Sequence, residues 1–214
     1  MIKQLDISSI NDKVTLEVCK QILDDRINHA QCTTFIRKFL CQKITSLQQS
    51  APRLLLSSVQ LAATRNPKAT IDGLLVPLIS ISNKDGSPTL KSSQLEVINR
   101  VVDVLPIDFT HLFFHHICEE QNVIWNEDLV VLVKSLIVIL LTPNKKDKTI
   151  PVQNISNVDL NLLLLKLSEV CRQFTSSSKF ATLIHTIITK VPASQIVPNV
   201  TLIQDILKTN TTFM

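Results

Sequence analysis

Residues 157–167 read NVDLNLLLLKL, and two other stretches, SSQLEVINRVV at 92–102 and NEDLVVLVKSL at 126–136, follow the same plan. Each opens on a residue able to cap a helix (Ser92, Asn126, Asn157), carries Gln or Asp two positions on (Gln94, Asp128, Asp159) and then a leucine (Leu95, Leu129, Leu160). Aligned on those leucines, the next apolar positions are Ile98, Leu132 and Leu163 at +3 and Val102, Leu136 and Leu167 at +7. That spacing marks one face of an α-helix. The leucines lie 34 (129 − 95) and 31 (160 − 129) residues apart. A second helix type recurs as well: FTHLFFHHIC from Phe109 aligns with FATLIHTIIT from Phe180, 71 residues later (180 − 109). A period in the thirties built of helix pairs points to an α-solenoid, in which each pair buries its apolar face only by stacking on the next. The run Leu162 to Leu165 is wider than one core-facing stripe, so its helix is expected to touch neighbours on both flanks. The fold class expected is therefore all-α, with antiparallel helix pairs stacked as a short α-solenoid of the HEAT or armadillo kind, in one domain over 1–214. A large free-standing bundle would share the helices but lack a concave binding face.

Outward from these stretches, apolar residues keep helical spacing along nearly the whole chain, as in Cys32, Phe35, Ile36, Phe39 and Leu40. The pattern predicts helices over 13–28, 31–48, 53–64, 70–82, 92–105, 107–121, 127–142, 157–174, 177–190 and 200–208. Pro52, Pro67, Pro106, Pro143, Pro192 and Pro198 fall at or near their boundaries, where a missing N–H costs least. Pro77 falls inside one and is expected to kink it. Only two glycines, Gly73 and Gly86, occur in 214 residues. The dinucleotide fingerprint, the P-loop and the nucleophile elbow all need clustered glycines, and their absence removes those chemistries.

Five widely spaced cysteines, Cys19, Cys32, Cys41, Cys118 and Cys171, and an amino terminus without an apolar h-region indicate a reducing compartment. There Asn154, Asn199 and Asn210, which open Asn-x-Ser/Thr triplets, carry no glycan. The most apolar stretch, residues 129–141, is interrupted by Lys134 and is too short for a bilayer, so no membrane role is expected.

His111, His115 and Glu119 recur at i, i+4 and i+8, a spacing that can chelate zinc. The same helix takes its core stripe from Phe109, Leu112, Phe113, His116 and Ile117, which places the triplet on a solvated face and favours a reading without metal. His116 then reads as a structural histidine and Phe114 as an exposed aromatic between the two faces. Asp24 and Asp25, or Glu119 and Glu120, diverge by about 100° as helix neighbours and cannot flank one bond. No catalytic residue and no cofactor is expected. The net charge is +4. The run Lys145, Lys146 and Lys148 is broken by Asp147 and lacks interleaved aromatics, so it reads as a solvated loop, with direct nucleic-acid binding the least favoured function. Trp125, just before the cap Asn126, reads as a hydrophobic staple against Val130.

From Asn157 onward, NVDLNLLLLKLSEVCRQF, SSKFATLIHTIITKVPASQ and the closing NTTF come in the order of a leucine-rich helix, a polar loop into a helix ending in Thr189-Lys190, and a last helix followed by Asn-Thr-Thr-Phe. This quarter of the chain resembles the carboxy-terminal helical-repeat domain of the Fanconi anaemia group E family. The resemblance implies FANC-type helical repeats and a non-enzymatic adaptor of the nuclear Fanconi core complex. Such an adaptor binds the group C protein and other core-complex subunits, and presents the group D2 protein for monoubiquitination in DNA interstrand crosslink repair. It further implies that Phe213, within Asn210, Thr211, Thr212 and Phe213, contacts the group D2 protein. The alternative is an unrelated HEAT-like protein-binding scaffold.

Overall fold

The computed structural model describes residues 10–24, 27–80, 90–142 and 155–213. They are helical, with no strand among the described residues, so the fold is all-α. They gather into two compact units, Met1–Phe109 and Thr110–Met214, where the repeat pattern anticipates one domain. The lysine run at 145–148, together with Asp25, Gly86 and Asn154, lies outside the described residues.

The first unit contains α1 (Asp12–Ile22), α2, α3 (Arg53–Arg65), α4 and α5 (Ser92–Val102). Helix α2 runs as His29–Phe35, a π-helical turn Ile36–Cys41 and an α-turn Gln42–Thr45; α4 runs as Pro67–Thr70, a π-turn Ile71–Leu75 and Val76–Ser80. Asn11 and Asn28 cap α1 and α2, their side-chain oxygens accepting from Lys13 N–H at 2.8 Å and Gln31 N–H at 2.9 Å. Helix α1 packs on α3, α3 on α5, and the π-turn of α2 on that of α4. The last contact depends on Gly73: a Cβ there would lie 2.8 Å from the Thr33 carbonyl oxygen and 3.1 Å from Ile36 Cβ. Pro77 acts through the same turn. Val76 N–H bonds to the Ile71 carbonyl five residues back, and the wider π-turn stands just ahead of a proline whose ring would crowd an α-helical carbonyl.

Among the buried polar side chains of this unit, Lys43 and Gln94 bridge separate helices. The Lys43 ammonium donates to the Ile10 carbonyl at 2.5 Å and lies 3.4 Å from the Asp12 carboxylate, tying α2 to the start of α1. Gln94 accepts from Lys91 N–H at 2.6 Å and donates towards the Thr45 carbonyl at 3.3 Å, satisfying backbone groups at two helix ends.

The second unit contains α6 (Ile107–Glu119), whose first turn spans the boundary, then α7 (Glu127–Leu141) and α8 (Asn157–Val170), which tightens into a 3-10 turn Cys171–Phe174. After these come α9 (Ser178–Lys190), α10 (Ala193–Ile196) with a 3-10 turn Val197–Asn199, α11 (Val200–Thr209) and a last 3-10 turn Thr211–Phe213. Helix α10 and the closing turn are not predicted by the periodicity, being too short to show one. Helix α9 packs along α7, and α11 against α8. Ser177 Oγ caps α9, accepting from Phe180 N–H at 3.1 Å, and donates to the Glu127 carboxylate at the start of α7.

All nine aligned repeat positions are buried: Leu95, Ile98 and Val102; Leu129, Leu132 and Leu136; Leu160, Leu163 and Leu167. Their helix starts differ in detail. Asn126 caps α7 as expected, accepting from Leu129 N–H at 2.8 Å. Helix α5 instead starts after Lys91, and α8 after Ser156, whose Oγ accepts from Asp159 N–H at 3.0 Å.

Three other expectations are corrected. On α6 the buried stripe is Thr110, Phe113, Phe114, Ile117 and Cys118, one residue on from the expected face, so Phe114 is fully buried rather than exposed. The same slip breaks the pairing of Phe109 with Phe180: Phe180 is fully buried and Phe109 half-buried, so the burial patterns match only when Thr110 is set against Phe180. On α8, Leu163 and Leu164 are buried but Leu165 is 46% exposed and Val158 64%, so one flank of that helix is open.

Candidate functional site

The carboxy-terminal segment is built from Asn210 outward. Asn210 is fully buried; its Nδ2 donates to the Phe174 carbonyl at 2.7 Å, and its Oδ1 accepts from Thr212 N–H at 2.9 Å, an Asx-turn. Thr211 adds two bonds to the Thr175 carbonyl, from its N–H at 2.7 Å and its Oγ1 at 2.9 Å. The 3-10 turn at the end of α8 and the Thr175 that follows it supply the two carbonyls, and the Phe174 ring there stacks on Phe180 at 5.2 Å and 6°. The segment is therefore stitched to the unit through backbone groups. Thr211 and Thr212 are exposed on this base and Phe213 closes the turn. Asn210 belongs to the base: both ends of its amide are used inside the protein.

A second polar cluster joins α6 to the start of α8. His115 Nδ1 and Asp159 Oδ1 are 2.6 Å apart, His115 Nε2 and Glu119 Oε2 3.3 Å, and Asp159 Oδ2 accepts from Ser156 Oγ at 2.8 Å. The hydrogen bond to Asp159 holds the imidazole pKa above its ordinary value against the opposing effect of burial, with further help from the charges of Asp159 and Glu119. A serine, a carboxylate and a histidine in a chain suggest a hydrolase triad, but the order is wrong. In a triad the serine bonds the imidazole nitrogen remote from the carboxylate. Here Ser156 bonds the carboxylate itself, and the remote nitrogen faces Glu119. Ser156 caps α8 by accepting from the Asp159 N–H, the Asp159 carboxylate holds the Ser156 hydroxyl in return, and His115 ties that pair to α6.

This geometry takes His115 out of the chelating stripe proposed from spacing. His111 is half-buried and not on a solvated face, with a buried Nε2 that has no hydrogen-bond partner. His116 is half-buried too. No group of three His, Cys, Asp or Glu side chains able to hold a metal occurs among the described residues. No helix of the described residues is long and apolar enough to cross a membrane.

All five cysteines are buried and unpaired with one another. Burial raises the Cys19 thiol to about 12 and pushes Cys32 up. It also raises Cys41, against the opposing effects of Thr45 and Arg37. Cys118 is raised first by burial and then by the nearby Asp159 charge.

Sequence reasoning missed Asp159 as the partner of His115, since a contact across 44 residues leaves no local pattern. It also placed the α8 cap at Asn157, although Ser156-Asn157-Val158-Asp159 is itself a capping-box pattern. Trp125 is 7% exposed and Val130 fully buried.

No protein-family profile matches the chain, and no curated protein matches it.

Proposed function

We propose that this chain is a non-enzymatic adaptor of the nuclear Fanconi core complex, bridging the group C subunit to the group D2 protein for monoubiquitination in interstrand crosslink repair. In this reading its helix pairs stack as a short α-solenoid, other core-complex subunits are further partners, and no cofactor, membrane or direct nucleic-acid contact is needed. The observation that carries the reading is the stitched tail. Asn210 and Thr211 fix the backbone at 210–212 against Phe174 and Thr175, so a motif resembling the family's Asn-Thr-Thr-Phe stands on a rigid base. A recognition element held this way loses little conformational entropy on binding. The nine buried repeat positions support the stacked-pair architecture.

The test is co-purification of the chain with the group C and group D2 proteins, for wild type and Phe213→Ala. The adaptor reading expects both partners to bind and the substitution to weaken only the group D2 contact, about tenfold or more, as for an aromatic anchor. Loss of neither partner on substitution removes Phe213 from the contact. Failure of both partners to bind wild type leaves the unrelated HEAT-like scaffold as the better reading.

A further inference from the structure

One face of α2 is open and apolar. Ala30, Gln31, Thr34, Phe35, Lys38 and Phe39 line a shallow groove along it, at positions i, i+1, i+4, i+5, i+8 and i+9. Phe35 and Phe39 stack at 5.1 Å with their planes 20° apart, and both are only half-buried. The opposite face of the helix does not need them, because Cys32, Ile36, Leu40 and Ile44 are already fully buried there. A stacked aromatic pair left open beside small side chains is the kind of exposed apolar patch that marks an interaction surface.

The element carrying the groove is held firmly from behind. Gly73 brings α4 to within van der Waals contact of Thr33 and Ile36, the Arg37 guanidinium donates to the Asp72 carbonyl at 2.7 Å, and His29 Nε2 lies 3.1 Å from the Asp72 carboxylate. The π-turn Ile36–Cys41 itself carries Lys38 and Phe39, and such turns are frequent at functional sites. Among the described residues of the lining, the charge is one-sided: the exposed Lys38 ammonium is the ionised group and none of the six is a carboxylate.

From this combination we infer that the groove docks an amphipathic helix of a partner protein, with an apolar ridge set against Phe35 and Phe39 and a carboxylate facing Lys38. Ala30 and Thr34 let the partner's backbone approach at one end, and the aromatic pair forms the wall at the other. This is helix-in-groove recognition, read through anchors one helical turn apart. The groove is on the first unit and the tail on the second, so the inference rests on the scaffold reading only in assigning it a further partner surface.

The experiment pans a randomised library of displayed helical peptides against the full chain. Enriched peptides are then tested on Lys38→Glu and on Phe35→Ser/Phe39→Ser. The inference expects enriched sequences to carry apolar residues at i, i+3 or i+4 and i+7, flanked by Asp or Glu. It expects Lys38→Glu to weaken them about tenfold or more, and a Glu-to-Lys exchange in the peptide to restore binding to that variant. Lys38 is exposed, so its substitution leaves the fold intact even if the double serine variant loses stability. Enriched peptides that bind both variants as tightly as wild type overturn the groove and leave the scaffold standing. No enrichment at all overturns the groove, and the co-purification above then decides the scaffold on its own. Self-association that Lys38→Glu abolishes assigns the face to a second copy and also overturns the inference.

Discussion

Gly73 has a backbone oxygen 2.8 Å from where its Cβ would be, and a carbonyl at a helix–helix contact cannot swing aside as a flexible side chain can. Gly73→Ala should therefore force α2 and α4 apart and cost about 1–3 kcal/mol in chemical denaturation, despite the better intrinsic helix propensity of alanine. Asn210 is similarly exacting for a different reason. Asn210→Ala removes one of the two donors to the Phe174 carbonyl, the Ser177 N–H remaining, together with the acceptor of the Thr212 N–H, and should cost about 1–3 kcal/mol, with faster proteolysis of the tail. His115 brings a pH dependence whose sign follows from its raised pKa. Relative to an unfolded imidazole near about 6.5, the imidazolium is favoured in the folded protein. Its stabilisation is fully present below about pH 6.5 and lost as the pH rises through the folded pKa. The side chain is 39% exposed, so solvent screening limits the effect to about 1 kcal/mol or less. Urea midpoints of wild type and His115→Gln should converge as the pH rises. A gap that is constant with pH would mean that His115 matters through packing and not charge.

At the level of elements, helix ends tell more than helix middles. The middles were legible: the periodicity predicts α3, α7, α9 and α11 to within a residue or so at each end, because a stripe such as Leu129, Leu132, Val133 and Leu136 admits no other regular structure. The ends were less so. Ser92 and Asn157 look like caps, yet the caps are Lys91 and Ser156, because a side chain three residues further on reaches back to the residue before the expected start. This makes a discriminating prediction for α5. Gln94→Ala removes a bond at each of two helix ends and should cost about 1–3 kcal/mol, whereas Ser92→Ala should be close to neutral. Equal losses in thermal denaturation would return the cap to Ser92. The face of α6 was misread by one residue because Phe109, Leu112, Phe113 and Phe114 offer two apolar stripes of similar quality, and only tertiary packing chooses between them. The contact of His115 with Asp159 was illegible for the same reason that most long-range contacts are: neither residue carries a local mark of the other.

For the molecule as a whole, the scarcity of glycine and the burial of every cysteine make joint sense. A chain of closely packed helices leaves few turns that need glycine, and small apolar side chains such as cysteine fill its interior. Reaction with Ellman's reagent should accordingly be slow in the native state and release five equivalents only on unfolding. Rapid release of one equivalent from native protein would show that a thiol opens to solvent. Gly73 also limits what the chain permits over generations. Every single-base change that replaces glycine supplies a Cβ, so position 73 has no neutral neighbour in sequence space. Lineages carrying this fold should hold glycine there while residues on the exposed flanks of α8 and α11 drift. A descendant that lost it would need a second change at Thr33 or Ile36 to survive.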